Sequence, residues 1–439
     1  MNILYLHTHD TGRYIQPYGY AVSTPNLMNL AREGTLFRQA YCAGPTCSPS
    51  RAGLLTGMSP HSCGMLGLAH RGFRLYDYHQ HLARFLGDHG YETVLCGVQH
   101  EAPDPGMIGY RKNITVKRRG THTEMDEANS QAAADYLLNS HGDPFFLSMG
   151  LFHTHRRFPE IDPSIRPDYV MPPFPMYDAP GCREDMAAFM TSVMIADRCY
   201  GRVLDALRQS GQDKDTLVIL TTDHGIAFPH MKCNLYDTGI GVSLILRYPG
   251  NPLKGKANDA LISQLDLFPT ICDMIQVEKP DWLQGFSMMP LFEGTAESIR
   301  NEIFSEVTFH AAYEPMRCIR TRRYKLIRFY DEQGLVPCNI DDSPSKSFLM
   351  ENGLLKHNQK RESEMLFDLF LDPVERINLV GDPQYESVHA DLSTRLENWQ
   401  KATHDPLLKG KVPLPEGAII NKPSCISPQE KDFLNHEEC

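Results

Sequence analysis

Short apolar runs alternate with longer amphipathic segments over much of the chain. A short apolar run that ends in polar residues is typical of a buried strand, and an apolar stripe with a period of about 3.6 residues indicates a helix. Strands alternating with helices favour an α/β fold, in which a large, mostly parallel or mixed sheet is flanked by helices. The predicted strands cover 2–10, 91–100, 144–155, 215–225 and 242–250, and the predicted helices cover 23–34, 78–90 and 183–211.

The pattern changes after about residue 310. Segment 316–334 predicts strands joined by a hairpin, 364–373 continues in the same manner, and 387–405 is a charged helix. The sequence therefore predicts two domains. Residues 1–312 form the large domain, which we expect to be catalytic, and residues 313–439 form a smaller C-terminal α+β domain with a polar tail.

Polar clusters follow four of the predicted strands at the point where each strand ends. In open α/β sheets, ligands bind beyond the carboxyl ends of the strands. Four separate stretches of chain would therefore supply one site, and this convergence carries more weight than any single histidine. The clusters are His9 with Asp10, His100, His153 with His155, and Asp223 with His224.

The composition argues against several classes of protein. The formal net charge of −11 argues against a nucleic-acid partner. No apolar stretch reaches the roughly 18 residues of a membrane span, so we expect no membrane association. The twelve cysteines form no CxxC pair, and the first residues lack the pattern of an export signal. We therefore expect reduced thiols and cytoplasmic localisation.

The segment Cys47-Ser-Pro49-Ser50-Arg51, followed by Leu-Leu-Thr-Gly after two residues, is the most specific motif in the chain. It resembles the signature of the type I sulfatases, a family of the alkaline phosphatase superfamily in which this cysteine is oxidised to Cα-formylglycine. The resemblance covers most of the chain. Features such as "GMLGL", "DHGIAFP" and "NWQKATHDP" resemble the sulfamidase branch of that family in particular.

The resemblance implies formylglycine as the nucleophile, made by a formylglycine-generating maturase. A thiolate could attack a sulfate ester, but its covalent product would have no easy exit. A hydrated aldehyde carries two hydroxyl groups on one carbon. One attacks sulfur, and the other then expels sulfate by collapse to the aldehyde, which divides the reaction into two easier steps.

The resemblance also implies one divalent cation, usually Ca²⁺. Its ligands would be His9, Asp10, Asp223, His224 and the modified Cys47. The sulfamidase branch has aspartate where His9 stands and asparagine where His224 stands. Because imidazole suits Zn²⁺ or Mn²⁺ better than Ca²⁺, either His9 is not a ligand or the metal is not simply calcium.

Four further residues correspond to catalytic positions of the family. Arg51 would fix the formylglycine hydrate, and His100 would act as the base. His155 and Lys232 would hold the sulfate and face the leaving group. His153 is a rival of His155 for substrate binding, because one residue of the family's His-x-Pro-His pattern is missing here.

A further departure concerns the charge that binds sulfate. The family usually has a lysine two residues before the base, where this chain has Val98. Either the site has one positive charge fewer for binding sulfate, or another residue supplies that charge, for example Arg71, Arg111 or Arg156.

The sequence thus predicts a sulfatase that hydrolyses a sulfate ester or sulfamate of a small molecule. The leaving group is an amino-sugar N-sulfate, a sugar O-sulfate, or an aryl or steroid sulfate. Two alternatives remain open: a phosphate or phosphonate monoester hydrolase of the same superfamily, and a non-catalytic binder of sulfated ligands. The oligomeric state is not readable from the sequence.

Overall fold

A computed structural model describes residues 1–117, 120–139, 142, 144–331, 334–356 and 359–436. Eight strands in this part of the chain form one sheet. They are β1 (Asn2–Thr8), β2 (Thr35–Tyr41), β3 (Glu92–Gly97), β4 (Lys112–Asn113), β5 (Phe145–Gly150), β6 (Thr216–Thr222), β7 (Leu244–Arg247) and β8 (Lys256–Ser263). Their order is β4-β3-β5-β1-β6-β7-β2-β8.

Helices cover the sheet and fill the connections between strands. They are α1 (Pro25–Glu33), α2 (Cys47–Thr56), α3 (Pro60–Cys63), α4 (Leu82–Asp88), α5 (His122–Leu138), α6 (Pro180–Gln209), α7 (Asp237–Ile240), α8 (Leu267–Ile275) and α9 (Met289–Phe292).

Strand β1 shows why helices lie on both faces of the sheet. Side chains alternate along a strand, so neighbouring residues point to opposite faces. Ile3 and Tyr5 belong to the core cluster that contains α2, α4 and α8, and Leu4 and Leu6 belong to the cluster that contains α1, α5 and α6. The apolar run of the first strand therefore fills two cores at once.

Most strand pairs are parallel, as the sequence predicts. Strand β7 is the exception, because it runs antiparallel to both β6 and β2. The predicted fold class, a mostly parallel or mixed sheet flanked by helices, is confirmed. Strands β2 and β8 and helix α5 were not among the predicted elements; the first half of β8 is largely exposed, and its residues lack a continuous apolar run.

A second, smaller sheet is antiparallel. It consists of β9 (Glu302–Phe309), β10 (Tyr313–Thr321), β11 (Tyr324–Phe329) and β12 (Glu364–Asp368) in the order β12-β11-β10-β9. Helix α10 (Pro344–Glu351) lies in the connection before β12, and helix α11 (Glu386–Ala402) follows it. Leu392 and Leu396 of α11 pack against Ile319, Leu326 and Leu366 of the sheet.

The predicted domain boundary at 312/313 falls between β9 and β10, which pair in the same small sheet. The division of the chain at this point stays a prediction. Near the C-terminus, β13 (Ile420–Asn421) pairs with β14 (Phe433–Leu434), and Ile420 is buried. Across the residues described above, none of the helices has the length and apolar character needed to cross a membrane.

Candidate active site

Four neighbouring strands bring the predicted polar clusters together. In the order β3-β5-β1-β6, the strands are parallel, so their carboxyl ends meet at one edge of the sheet. His100 follows β3, His153 and His155 follow β5, Asp10 follows β1, and Asp223 follows β6. The convergence expected from the sequence is therefore present in the fold.

Cys47 is the first residue of α2, a helix in which every residue is buried. Thr46 has extended backbone geometry before the helix, so the helix N-terminus, with its unpaired N–H groups, opens at Cys47. Burial raises the pKa of the Cys47 thiol, and the charge of Lys232 opposes this shift only in part. The unmodified thiol is therefore protonated at neutral pH and is a poor nucleophile.

Arg51 is also buried, one helical turn after Cys47. Its Nη2 lies 3.0 Å from Asp223 Oδ2 and donates to the carbonyl oxygen of Thr8 at 2.9 Å. Its Nη1 donates to His7 Nδ1 at 2.5 Å, so the His7 proton sits on Nε2, which is 3.2 Å from Ser148 Oγ. Arg51 therefore ties the helix to the ends of two strands.

Asp223 accepts hydrogen bonds from the backbone N–H groups of Asp10 and His224, both at its Oδ1. Burial raises the pKa of Asp223, but His224, Arg51 and His9 together lower it well below the usual value. The carboxylate is therefore ionised in a position from which water is largely excluded.

Several buried polar atoms at this point have no hydrogen-bond partner among the described residues. They include His9 Nε2, Asp10 Oδ1 and His224 Nε2. His224 Nε2 lies 3.4 Å from Asp10 Oδ1 and 3.7 Å from Asp223 Oδ2. Ligand atoms bound to one cation at about 2.0–2.5 Å lie at similar separations from each other.

His9, Asp10, Cys47 and Asp223 also offer ligand atoms that all lie within 4.8 Å of one another. Burial lowers the pKa of His9 well below its usual value, and Arg51 lowers it further, so the imidazole is neutral and can bind a metal. The residues present therefore fit a divalent cation with a mixed oxygen and nitrogen ligand set. We call Asp10, Cys47, Arg51, Asp223 and His224 the floor of the site.

The His100 ring lies beside the floor, with its centroid 4.7 Å from that of His9. Its backbone N–H donates to Glu101 Oε2 at 3.0 Å. The enclosed position of the ring, followed by the charge of Arg51, lowers its pKa to about 3. His100 is therefore neutral at pH 7 and available to accept a proton.

His153 and His155 differ in how their rings are held. His153 Nδ1 donates to Asp126 Oδ2 of α5 at 2.5 Å, and its Nε2 lies 3.3 Å from Thr123 Oγ1. His155 Nδ1 donates to the carbonyl oxygen of Arg156 at 2.5 Å. The described residues provide no partner for Nε2 of His155, so this ring has a free acceptor and the ring of His153 does not.

Lys232 lies between two carboxylates. Its Nζ is 3.0 Å from Asp10 Oδ2 and 3.0 Å from Asp341 Oδ2. Burial lowers the pKa of Lys232, but the two carboxylates raise it well above the usual value, so the side chain is charged. We call His70, Lys232, His310 and Asp341 the wall of the site.

Sequence reasoning missed most of the wall. Burial lowers the pKa of His310, and the charge of Lys232 lowers it further, which brings His310 into the same electrostatic environment. Burial also lowers the pKa of His70, and Arg71, His155 and Lys232 lower it further. His70, His310 and Asp341 lie on segments without a recognisable motif, and their distance along the chain from Cys47 leaves no signal of proximity.

Val98 is buried, and its backbone N–H donates to the carbonyl oxygen of Gly150.

Three arginines were considered as substitutes for the missing lysine. Arg156 is held by Asp185 at 2.6 Å, and Arg111 is held by the Gly87 carbonyl oxygen. Arg71 lowers the pKa of both His70 and His310, after the larger effect of burial. Arg71 also has hydrogen-bond partners, the Ala311 carbonyl oxygen and Asn421 Oδ1, but its charge acts on two residues of the wall.

Comparison with known proteins adds a family assignment to this geometry. The sulfatase family model matches residues 1–277, and the model described as N-sulphoglucosamine sulphohydrolase, C-terminal, matches residues 226–341. The chain is 30% identical to N-sulphoglucosamine sulphohydrolase of Homo sapiens, with 99% of this chain and 95% of the relative covered. It is 28% identical to an ulvan-active sulfatase of Formosa agariphila, with 90% and 78% covered.

A solved structure supports the fold. A protein in complex with its substrate D-glucosamine-2-N,6-O-disulfate superposes with a TM-score of 0.72 at 19% identity, with 94% of this chain and 99% of that chain covered. The expectation of an enzyme is confirmed, which removes the alternative of a non-catalytic binder. The chain therefore belongs to the sulfatase family and is a hydrolase of sulfate esters or sulfamates.

Proposed function

We propose that this enzyme removes the sulfate group from an N-sulfated amino sugar, with formylglycine made from Cys47 as the nucleophile and one divalent cation in the floor. The observation that carries the proposal is the floor itself. A buried helix N-terminus, two buried aspartates and unpartnered imidazole and carboxylate atoms surround Cys47. Such a site suits an anion that must be bound and then attacked.

The substrate class rests on the comparisons. The human relative that is similar over 99% of this chain is named for N-sulphoglucosamine, and the matched C-terminal family carries the same description. The substrate in the superposed structure, D-glucosamine-2-N,6-O-disulfate, is a glucosamine that carries both an N-sulfate and an O-sulfate. These similarities favour a sulfamate of glucosamine over an aryl or steroid sulfate.

Formylglycine would supply a hydroxyl group that attacks sulfur and a second one whose deprotonation releases sulfate. The protein's own groups would orient that side chain. Arg51 has a fixed position because three acceptors hold its guanidinium, and it lies one turn from Cys47 on the same helix. A formylglycine-generating maturase is part of the proposal as a partner.

A divalent cation, when bound, would lower the pKa of the attacking hydroxyl and neutralise charge on the sulfate. Asp10, Asp223 and His224 would hold it, with His9 as a further ligand. We propose Ca²⁺, the ion that the family resemblance implies. Mn²⁺ and Zn²⁺ are the alternatives if His9 and His224 both bind, because imidazole suits these ions better than Ca²⁺.

Proton transfer is assigned to groups whose protonation states fit the task. His100 is neutral and accepts a proton from the nucleophile's side. His155, through its free Nε2, and the charged Lys232 would act on the leaving atom and on the sulfate charge. His153, with both ring nitrogens engaged, supports the substrate side of the site without moving a proton.

The experiment is a substrate panel with protein coexpressed with a maturase, after mass spectrometry has verified formylglycine at position 47. The panel contains glucosamine N-sulfate, glucosamine 6-O-sulfate, 4-nitrophenyl sulfate and 4-nitrophenyl phosphate, and elemental analysis identifies the metal. We expect the highest kcat/KM for the N-sulfate. Faster turnover of the phosphate ester would contradict the proposal, and so would full activity of protein that retains the Cys47 thiol.

A further inference from the structure

Asp341 places a negative charge in a site that has to bind an anion. Its Oδ2 lies 3.0 Å from Lys232 Nζ. Burial raises the pKa of Asp341, but Lys232, followed by His155 and His310, lowers it below the usual value. The carboxylate is therefore ionised, and it weakens the attraction of Lys232 for sulfate. Sulfate binding therefore does not explain why a carboxylate lies at position 341.

The second carboxylate oxygen of Asp341 is open. No described residue donates a hydrogen bond to Oδ1, and the side chain is 14% exposed, whereas the Asp10 side chain on the other side of Lys232 is fully buried. Asp341 therefore lies outward from the floor, on the solvent side of Lys232. It presents an acceptor that is ready for a donor on the substrate.

The loop that carries Asp341 is fixed from both sides. Before it, Asn339 Nδ2 donates to Glu314 Oε2 at 2.8 Å, and Asn339 Oδ1 accepts the Ala312 N–H at 2.8 Å. The buried Lys346 Nζ donates to the carbonyl oxygen of Ile340 at 2.8 Å and also contacts Asp342. A side chain held by such a support recognises a substrate group at low entropic cost.

We propose that Asp341 is a specificity-determining residue, whose Oδ1 accepts a hydrogen bond from a sugar hydroxyl next to the sulfated position. The inference rests on the proposed function and narrows it. The site takes a sulfated saccharide with a neighbouring hydroxyl and discriminates against sulfates whose leaving group lacks one. Without that hydroxyl, the open acceptor loses water on binding and gains nothing in return.

The test compares two substrates in the matured holoenzyme and in Asp341→Asn. The variant keeps the size of the side chain but loses its charge. A hydrogen bond to a charged group contributes a factor of about 10 to 100. Loss of the charge acts on Lys232 for both substrates, so the readout is the ratio of the two kcat/KM values. We therefore expect kcat/KM for glucosamine N-sulfate, divided by kcat/KM for 4-nitrophenyl sulfate, which has no hydroxyl beside the sulfate, to fall by about that factor.

Asp342→Asn is the matched control, since it alters the same loop at a side chain that faces solvent and contacts Lys346 and Ser427. It should leave the ratio of the two kcat/KM values unchanged. An equal fall for both substrates in Asp341→Asn would mean that Asp341 acts only by holding Lys232, and it would overturn the inference. Loss of discrimination in Asp342→Asn would overturn it as well.

The parent enzyme separates this inference from the proposed function. A parent that hydrolyses 4-nitrophenyl sulfate but no sugar sulfate would overturn the inference and leave sulfatase chemistry intact. A matured parent that hydrolyses neither substrate would remove the proposed function, and the inference with it.

Discussion

The floor and the wall of the site are built in different ways. The floor lies at the ends of β1 and β6 and the start of α2, and its side chains are almost completely buried. The wall comes from loops far apart in the chain, and its exposure rises from Lys232 outward to His70. We therefore expect the floor to carry the nucleophile and the metal, and the more exposed part of the wall to contribute to the choice of substrate.

A network of ion pairs ties the small sheet to the segment that follows α2. Arg317 of β10 contacts Asp405 at 2.7 Å and Glu306 of β9 at 3.1 Å. Glu306 also accepts from His61 Nδ1 of α3 at 2.9 Å, shortly after the floor helix in the chain. His310 directly follows β9, and Asn339, two residues before Asp341, donates to Glu314 of β10, so the position of both wall segments depends on the small sheet.

The largest effect should come from the floor. In Cys47→Ala, kcat/KM should fall by about 10⁵-fold or more, because the nucleophile is removed. Cys42→Ala is the control: it removes a buried thiol outside the site and should cost stability but little activity. Release of sulfate from glucosamine N-sulfate is the measurement. Comparable activity in the Cys47 and Cys42 variants would contradict the assignment.

Next in size is the loss of a floor carboxylate. Asp10→Asn should lose most of the bound metal and about 10³-fold in kcat/KM, since a charged ligand and its electrostatic contribution disappear. Elemental analysis of the purified variant, beside Asp178→Asn on the surface, gives the metal content. Unchanged metal content and kinetics in Asp10→Asn would rule out the cation site.

Asp223→Asn should differ from Asp10→Asn in stability. Arg51 would lose the carboxylate that pairs with it in a buried position, which costs about 3 kcal/mol or more. Lys232 in Asp10→Asn would still have Asp341 as a partner. Thermal unfolding should therefore show a lower Tm for Asp223→Asn, and equal Tm values would contradict this account.

A smaller effect distinguishes His100 from His155. Each alanine variant should lose about 10²-fold in kcat. If His100 serves the release of sulfate, His100→Ala should show a burst of desulfated sugar followed by slow turnover, and His155→Ala should show no burst. Rapid-mixing kinetics with glucosamine N-sulfate provides the measurement. A burst in His155→Ala alone would reverse the two roles.

The smallest effect concerns the support of the wall. Burial raises the pKa of Asp405, but Arg317 lowers it, to a net value of about 2. A depressed pKa stabilises the fold above the unfolded value of about 3.9, and this contribution is lost as pH falls toward 2. At pH 6, the free energy of unfolding in urea should be about 2 kcal/mol higher for the parent than for Asp405→Asn. This difference should shrink below pH 4. A constant difference down to pH 2.5 would contradict the pairing.

The floor was predictable because each of its parts has a local signal. Asp10 and Asp223 end apolar runs, and Cys47 lies in a contiguous motif. Helix α5 gave no such signal, because its buried face includes Asp126, Asn129 and Ser130 and therefore shows no apolar period. Asp126, which orients His153, was missed for this reason.

Asp341 and His310 were missed for a different reason. They reach the site through tertiary contacts between distant segments, and a single sequence contains no record of such contacts. The roles of the site residues, the identity of the metal and the cytoplasmic localisation stay predictions.

The complete burial of α2 has a consequence for the timing of biosynthesis. Cys47 is 4% exposed, and the residues that follow it are buried on every side of the helix. A second protein can reach this side chain only while the segment is still extended. The proposed maturation therefore competes with folding during and just after translation, so faster folding would lower the fraction of modified enzyme that a cell produces.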